Sequence, residues 1–318
     1  VHSFSTGSKG WLKHVINVVH LSFFCWNNNV DFVYSHLEPA SFIGVLAQKF
    51  IRAKVYVCRH HGDLYSFMNR DKDLSYKITY RFASNIIVVS ESTKKYMVEK
   101  EGIKSDRIKK INLAYDFSLY DFPDPYKVTL LRKHIDANVI LITIGHFNAF
   151  KRPQQSIEVL RNLLQLGIDA KLILLGNGEQ EDEIRCSLKT MSIQDRVIMP
   201  GFVNNVIDYL AASSVLLHPS VSESSCVVVK EAGLVQIPVV VCKGVGDFDD
   251  FIVDGDNGFL VDRDQFSTQA TSLVNRIAKD QTLCDNMGQN LKRDVLHFFD
   301  IKNILSVYDQ IHKKKSTT

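Results

Sequence analysis

Two glutamates and a serine-rich loop give the segment His218–Gly233 the clearest chemical potential in the chain. A short apolar run opens the segment, the loop follows, and an apolar helix is predicted to begin near Ser225 or Cys226. The backbone N–H groups at the start of such a helix have no intrahelical partner and carry the positive end of the helix dipole, so they favour an anion. Glu223 lies in the loop, and Glu231 follows within the helix.

The spacing of the two acids allows two interpretations. Eight helical residues span about 12 Å, comparable to the reach from a sugar across a diphosphate to a ribose, so Glu223 could hold sugar hydroxyls while Glu231 holds ribose hydroxyls. Alternatively, Ser222 or Ser224 caps the helix with Glu223 nearby, and Glu231 is a solvated surface residue. Spacing alone leaves both interpretations open.

Two further segments combine a strand end, a glycine turn and a helix. Within Ile144–Pro153, Lys151 and Arg152 stand directly before a helix whose first turn holds Pro153, a favoured position for proline. These cations are well placed to neutralise a phosphate, although basic residues before a helix are about as often simply solvated. The segment Leu174–Gly178 resembles a nucleotide-binding turn, but a single G-x-G is a weak signal.

Apolar runs alternate with helix-period stretches along almost the whole chain. Most of the runs are rich in Val and Ile and lack in–out alternation, as expected for strands of a parallel sheet covered by helices on both faces. Strands are predicted at Asp31–Ser35, Lys54–Cys58, Asn85–Ser90, Arg107–Asn112, Val139–Gly145, Lys171–Gly176, Arg196–Pro200, Val215–His218, Pro238–Cys242 and Gly258–Val261. The sequence therefore predicts an α/β protein built from doubly wound sheets.

One stretch interrupts the alternation. Asp116–Tyr126 is aromatic and acidic and contains two prolines, which do not continue a helix or a central strand. We interpret it as the linker between an amino-terminal Rossmann-like domain, 1–120, and a carboxy-terminal one, 121–300, with 301–318 forming a helix and a basic tail. Ligands of such sheets bind beyond the carboxyl ends of the strands, so two facing domains would enclose a cleft.

The composition excludes several classes of protein. With 45% hydrophobic and 23% charged residues, the chain is globular and not intrinsically disordered. A net charge of +3 is too small for a dedicated nucleic-acid binder. No apolar run reaches the length of about 18 residues that a membrane span needs. The six cysteines include no CxxC pair, which favours buried thiols in a reducing compartment over disulfides or a zinc site.

Together these segments resemble the family-4 retaining glycosyltransferases, which have the two-domain GT-B fold. The resemblance extends from about Asp31 to Val261, and the order and spacing of its pieces make it specific. The matching segments are Asp31–His36, His60–Gly62, Val88–Ser92, Gly145 with Lys151, Leu175–Gly178, Pro219–Glu223 with Glu231, Ile237–Val240 and Asp254–Leu260. The resemblance implies two doubly wound Rossmann-like domains that face each other across a cleft.

The resemblance also implies a role for each matching residue. Glu231 matches the acid on the donor ribose, Glu223 the acid near the transferred sugar, and Lys151 the lysine on the donor diphosphate. His61 resembles an amino-domain histidine that reaches the donor sugar; it is preferred to His60 because that histidine commonly ends the strand and opens the turn. The remaining donor-binding positions are Gly145, Arg152, Gly176, Ser224, Ser225, Cys226 and Val227.

The implied activity is retaining transfer of a sugar from a UDP- or GDP-linked donor to a glycan or lipid-linked acceptor, in the synthesis of cell-surface polysaccharide, lipopolysaccharide or another glycoconjugate. The family usually needs no metal, and neither a cofactor nor a nucleic-acid partner is implied. No signal peptide is visible, so a cytoplasmic enzyme is expected. Basic residues at 49–54 and 313–315 would allow peripheral contact with the inner face of the membrane, although such charges are more often solvated.

Three departures from the family leave alternatives open. His146 stands where the family has arginine and would hold a diphosphate less firmly unless Arg152 substitutes for it. Ser225 and Cys226 replace Phe-Gly, and the short stretch before Asp31 implies an abbreviated amino-terminal domain without the usual first β–α–β unit. A non-catalytic remnant that binds a nucleotide sugar is therefore the main alternative, followed by an epimerase or a phosphorylase of the same architecture.

Overall fold

The computed structural model describes residues 11–62 and 73–313. The chain divides into two compact units, Val1–Asn112 and Leu113–Thr318, so the predicted linker lies inside the second unit. Each unit is α/β with one parallel sheet, as predicted. The basic tail beyond residue 313 lies outside the described residues.

The amino-terminal unit contains a four-stranded parallel sheet in the order β1-β2-β3-β4. Its strands are β1 Phe32–His36, β2 Lys54–Arg59, β3 Ile86–Val88 and β4 Ile108–Lys110. Its helices are α1 Trp11–Asn27, α2 Ala40–Ala47, α3 Leu74–Phe82 and α4 Glu91–Glu99. The centre of the sheet is buried because β-branched residues such as Val57 and Val88 contact helices through side chains that are stiff and apolar.

The carboxy-terminal unit contains a six-stranded parallel sheet in the order β10-β9-β8-β5-β6-β7. Its strands are β5 Val139–Ile144, β6 Ala170–Leu175, β7 Val197–Gly201, β8 Val215–His218, β9 Val239–Cys242 and β10 Phe259–Val261. Its helices are α5 Pro125–Ile135, α6 Pro153–Gln165, α7 Glu181–Thr190, α8 Val206–Ala212, α9 Val227–Leu234, α10 Phe248–Phe251, α11 Phe266–Lys279, α12 Gln281–Phe299 and α13 Ile301–Lys313. Every predicted strand is thus present, with ends that differ by at most two residues.

The order of the strands reverses direction beside β5. This strand pairs with β6 on one side and with β8, which comes much later in the chain, on the other. In open parallel sheets ligands bind at the carboxyl ends of the strands next to such a reversal. The loops that follow β5 and β8 are therefore the place to look for a binding site.

The last two residues of the predicted linker, Pro125 and Tyr126, belong to a helix that the sequence pattern did not predict. Helix α5 begins at Pro125, and the Asp124 side chain accepts hydrogen bonds from the backbone N–H groups of Tyr126 and Lys127. Proline is well tolerated at the first position of a helix because the N–H that it lacks has no intrahelical partner there. An aspartate directly before a proline is a helix-start signal that the sequence carried.

The six cysteines are all free. Four of them are buried, as predicted, but Cys186 is exposed and Cys284 is only half-buried, so the prediction was wrong for these two. Among the helices of the described ranges, none combines the length and the apolar character needed to cross a membrane.

Candidate functional site

Two loops meet at the carboxyl ends of the adjacent strands β5 and β8. Asn148 shapes the first loop, since its Oδ1 accepts hydrogen bonds from the backbone N–H groups of Phe150 (3.0 Å) and Lys151 (2.9 Å). The second loop joins it through the Val221 N–H, which donates to the Phe150 carbonyl at 2.9 Å. This contact brings Lys151 and Glu223, which are far apart in sequence, to the same edge of the sheet.

Glu223 is the centre of a charged cluster at this edge. Its Oε1 lies 2.5 Å from Lys151 Nζ and 2.7 Å from His218 Nε2, and its side chain is only 10% exposed. Burial opposes ionisation of this carboxyl, but His218 and Lys151 outweigh burial and hold its pKa well below the usual range. Burial likewise opposes the charge on His218, yet Cys226 and Glu223 raise its pKa to about 9. The cluster therefore holds an ionised carboxylate between two cations.

Helix α9 begins directly after this cluster. Its N-cap is Cys226, whose side chain makes no capping hydrogen bond. The Ser224 hydroxyl is buried and has no hydrogen-bond partner within the described ranges. Cys226, and neither Ser222 nor Ser224, thus occupies the N-cap position. The N–H groups of the first turn have no intrahelical partner and favour an anion.

A buried ion pair supports the loop before α9. Lys230 Nζ lies 2.8 and 2.7 Å from the two carboxylate oxygens of Asp247, and neither side chain is exposed. The Ser225 hydroxyl donates to Asp247 Oδ2 at 2.5 Å, and the Tyr115 hydroxyl donates to the Ser225 carbonyl at 3.3 Å. Ser225, which stands where the resemblance implies phenylalanine, is thus held by hydrogen bonds from its hydroxyl to Asp247 and from Tyr115 to its carbonyl. No sequence pattern predicted the pairing of Lys230 with Asp247.

Glu231 lines a separate cavity of about 770 Å³ in the same unit. Two strongly exposed aromatic rings, Phe122 (90% exposed) and Phe202 (81%), line it as well. The Glu231 side chain has no hydrogen-bond or ion-pair partner in the part of the chain that the structure describes, and burial raises its pKa. Glu231 is thus a half-buried acceptor that lines a cavity, and its role on a donor ribose stays a prediction.

The glycine turn after β6 contacts the loop after β5. Gly176 has a φ of +128°, and a Cβ there would lie 2.0 Å from the Gly145 carbonyl oxygen. A Cβ on Gly178 would lie 2.5 Å from the backbone N and O of Phe147, whose N–H donates to the Asn177 carbonyl. Close approach of two backbones requires glycine. This gives Gly176 a packing role, and its role in donor binding stays a prediction.

Replacing Gly176 with alanine is expected to lower the free energy of unfolding by at least about 2 kcal/mol, because the new Cβ clashes with backbone and the φ is unfavourable. Gly167→Ala is the matched control, since Gly167 also has a positive φ, +75°, but open space around it. Urea unfolding followed by circular dichroism would compare the two variants. Equal losses would show that the contact with Gly145 is not important.

The basic residues before α6 lie in different surroundings. Arg152 occupies the N-cap with a φ of 52°, and its Nη2 donates to the Arg263 carbonyl at 2.8 Å. His146 Nε2 lies 2.8 Å from Glu179 on the surface. The guanidinium of Arg152 thus contacts the Arg263 carbonyl, and its substitution for the family's arginine on a donor diphosphate stays a prediction.

His61 belongs to the turn after β2 in the amino-terminal unit. The buried Arg59 side chain holds this turn, since its Nε donates to the His61 carbonyl at 2.7 Å and its Nη2 to the Gly62 carbonyl at 2.6 Å. Arg59 also forms an ion pair with Glu101 at 2.9 Å. The backbone of the turn is therefore well fixed, while the role of His61 toward a donor stays a prediction.

Sequence reasoning missed part of this site. His218 was considered only as the end of a strand, although it precedes Glu223 by five residues and its ring contacts that carboxylate. The Lys230–Asp247 pair and the aromatic lining beside Glu231 were also missed. The structure brings Lys151, Glu223 and Cys226 together and places Gly145 against Gly176.

Two family models match the chain. Residues 132–294 match the family described as glycosyl transferases group 1. Residues 3–119 match the family described as glycosyltransferase family 4. The two matches fall largely on the carboxy-terminal and amino-terminal units respectively.

Curated relatives include several named transferases. The chain is 28% identical over 290 residues to N-acetyl-alpha-D-glucosaminyl L-malate synthase of Bacillus anthracis, covering 89% of this chain and 74% of that protein. It is 21% identical over 301 residues to UDP-Gal:alpha-D-GlcNAc-diphosphoundecaprenol alpha-1,3-galactosyltransferase of Escherichia coli, covering 91% of this chain and 77% of that protein.

Solved structures share the fold. HepE of Anabaena, solved in complex with UDP, superimposes with a TM-score of 0.80 at 21% identity, covering 95% of this chain and 82% of that one. Its complex with UDP-glucose gives a TM-score of 0.78 at 22% identity, with the same coverage. The sucrose-phosphate synthase of Thermosynechococcus elongatus gives 0.77 at 18% identity, covering 98% of this chain and 80% of that one.

Proposed function

Because the chain belongs to the glycosyl transferases group 1 family, we propose that it transfers a sugar, with retention, from a UDP-linked donor to a glycan or lipid-linked acceptor. One observation carries the proposal: the carboxy-terminal unit has an ion-paired Glu223 and a helix start at the switch point of its sheet, and in the same helix Glu231, without a partner among the described residues, lines a cavity. Those groups complement the sugar, the diphosphate and the ribose of such a donor in turn.

The cavity beside Glu231 suits the nucleoside. An unpaired carboxylate accepts hydrogen bonds from both hydroxyls of a ribose, and burial strengthens those bonds because water competes less. The exposed ring of Phe202 offers a surface on which a base can stack. UDP is preferred to GDP because the Anabaena structures contain UDP and UDP-glucose.

The cluster at Glu223 suits the sugar and the diphosphate. As the nucleoside diphosphate leaves, negative charge develops on its phosphates and positive charge on the sugar ring. Lys151 and the first turn of α9 stabilise the former, and the Glu223 carboxylate faces the latter. Lys151 turns from Glu223 toward the diphosphate when the donor binds, while His218 keeps the carboxylate ionised. These groups supply the charge that a metal would otherwise provide, so transfer is proposed to persist in a chelator.

The relatives direct the choice of acceptor. The name of the Escherichia coli protein specifies a diphosphoundecaprenol-linked acceptor, and that of the Bacillus anthracis protein specifies L-malate. We favour a lipid-linked glycan, which a cytoplasmic enzyme would meet at the inner face of the membrane. A non-catalytic nucleotide-sugar binder is the second candidate, favoured by the pairing of His146 with Glu179 where the family has arginine.

Thermal unfolding with UDP, GDP, ADP and their sugars tests the donor site. UDP is expected to raise Tm, and Glu231→Ala is expected to weaken UDP binding by about 30-fold, because it removes two hydrogen bonds to a charged group. A cooperative transition that no nucleotide shifts would reject the donor site. Release of UDP from UDP-sugars only after addition of GlcNAc-diphosphoundecaprenol or L-malate would separate the transferase from the non-catalytic binder.

The pH dependence of donor binding tests the state of Glu231. The ionised carboxylate is the form that accepts from ribose, and burial raises its pKa above the ordinary 4.5. Affinity for UDP-glucose is therefore expected to be highest at neutral pH. As the pH is lowered, affinity should begin to fall at a higher pH than it would for a glutamate with the ordinary pKa. UDP-glucose is the probe because the terminal phosphate of UDP itself titrates near pH 6, as phosphate monoesters do. A wild-type profile as flat as that of Glu231→Gln would reject the role.

A further inference from the structure

Three side chains with different metal-binding groups converge at the entrance to α9. The imidazole of His218, the carboxylate of Glu223 and the thiol of Cys226 each offer one ligand atom, and these atoms all lie within 4.8 Å of one another. His218 Nε2 is 2.7 Å from Glu223 Oε1 and 3.4 Å from Cys226 Sγ. We call these three residues the His–Glu–Cys cluster.

The ligand set and its spacing suit a zinc ion. Thiolate, imidazole and carboxylate are the side chains that bind Zn²⁺ in proteins, at about 2.0–2.3 Å from the metal. Tetrahedral bonds of that length place neighbouring ligand atoms roughly 3.3–3.7 Å apart. In the cluster the His218–Glu223 distance of 2.7 Å lies below this range, the His218–Cys226 distance of 3.4 Å lies within it, and all three atoms lie within 4.8 Å of one another. Small side-chain shifts would therefore bring the three atoms around one cation.

The fold holds the cluster in place without a metal. His218 is the last residue of β8, and its buried ring contacts Phe248 edge to face at 5.7 Å between centroids. Cys226 is the N-cap of α9, so the fold fixes its backbone. Gly246 lies against Glu223, since a Cβ there would be 2.9 Å from the Cβ of Glu223. Binding would therefore order little that is not already ordered.

We propose that Zn²⁺ binds the His–Glu–Cys cluster and, by occupying Glu223, excludes the donor sugar. The thiolate and the carboxylate balance the two charges of the ion. The Cys226 thiol and the His218 imidazolium each release one proton to water, so that His218 binds as neutral imidazole. Lys151, 2.5 Å from the same Glu223 oxygen, is repelled and turns away. The fourth ligand would be water, as in zinc sites with three protein ligands. The exclusion of the sugar rests on the proposed function; the binding of the ion does not.

Titration with Co²⁺, a coloured substitute for zinc, tests the binding alone. Wild-type protein, freed of metal, is expected to take up one Co²⁺ with a thiolate-to-cobalt absorption band, which one equivalent of Zn²⁺ removes. Cys226→Ala should lose the band, whereas Cys186→Ala, which removes an exposed cysteine, should keep it. Circular dichroism of each variant without metal establishes folding, and Cys226→Ser replaces Cys226→Ala if that protein does not fold. A full band in the folded Cys226 variant would overturn the proposal.

Competition with the donor tests the consequence. Saturating Zn²⁺ is expected to weaken UDP-glucose binding at least about tenfold in wild-type protein and less than about twofold in the folded Cys226 variant, each compared with its own metal-free affinity. The Cys226 variant also serves as the control for zinc that binds the diphosphate of free UDP-glucose, because that effect is the same for both proteins. If the protein shows the thiolate-to-cobalt band but zinc leaves its affinity for UDP-glucose unchanged, the proposal that zinc excludes the donor sugar is overturned. Metal binding in a protein that binds no nucleotide would reject the proposed function and leave the metal site standing.

Discussion

Glu223→Gln is expected to lower kcat/KM for sugar transfer by about 100- to 1000-fold, the range seen when one electrostatic stabiliser is removed from an active site. Glu223 is the shared counter-charge of Lys151 and His218, and its side chain is nine-tenths buried. An uncharged amide of the same shape leaves both cations without that partner. It also removes the negative charge that we propose to face the transferred sugar. The loss should therefore fall mainly on kcat.

Two comparisons make this result specific. UDP binding should survive in Glu223→Gln, because UDP lacks the transferred sugar and its ribose is proposed to contact Glu231. Glu181→Gln is the matched control: Glu181 also pairs with a cation, Arg185 at 2.7 Å, but on the exposed surface of α7. Initial rates of UDP release in the presence of acceptor would measure both variants. A kcat/KM for Glu223→Gln within about threefold of wild type would show that the carboxylate does not stabilise the transition state.

Lys230→Met should lower the free energy of unfolding by about 3–5 kcal/mol, the usual cost of removing one partner of a buried ion pair. Both partners are wholly buried, and Lys230 Nζ also lies 4.8 and 4.4 Å from the ring centroids of Phe251 and Phe299. Methionine fills similar space with a flexible, uncharged chain, so the cost arises from the charge left on Asp247. Urea unfolding followed by circular dichroism measures it.

The double variant Lys230→Met with Asp247→Leu separates charge from packing. Removing both charges should recover much of the loss, because no uncompensated charge then remains in the interior. Lys95→Met is the control, since Lys95 pairs with Glu99 at 4.0 Å on the surface, where such a pair contributes about 0–1 kcal/mol. A loss in Lys230→Met no larger than in Lys95→Met would mean that the buried pair does not stabilise the fold.

Much of the fold followed from the sequence because strand formation depends on local pattern. Runs such as Val139–Ile144 and Val239–Cys242 are continuous in β-branched and other apolar residues, and each became a buried strand. Helix α6, which follows the loop with Lys151 and Arg152, also has Pro153 in its first turn, as predicted. Helix α5 was missed because the two prolines of the linker were given more weight than the helix-start signal at Asp124.

The sequence pattern predicted the kind of sheet, parallel and covered by helices, but not the order of its strands. The alternating pattern indicates parallel sheets, but nothing in it states that β5 pairs with both β6 and β8. That pairing depends on contacts between segments some 70 residues apart, which a local pattern does not encode. The placement of the site at the strand-order reversal was thus decided by the tertiary structure.

The amino-acid sequence alone determined which residue types are available for chemistry: two acids, a lysine and a helix start, in the order that the resemblance recognises. The tertiary structure decided what each of them contacts. Lys151 and Glu223 are 72 residues apart yet share an ion pair, and Lys230 meets Asp247 in the interior. Among the residues that the structure describes, Glu231 has no hydrogen-bond partner and lines a cavity. The reason is physical: helices and strands arise from neighbours in sequence, whereas the charge state of a side chain depends on burial and on partners that only the packed chain supplies.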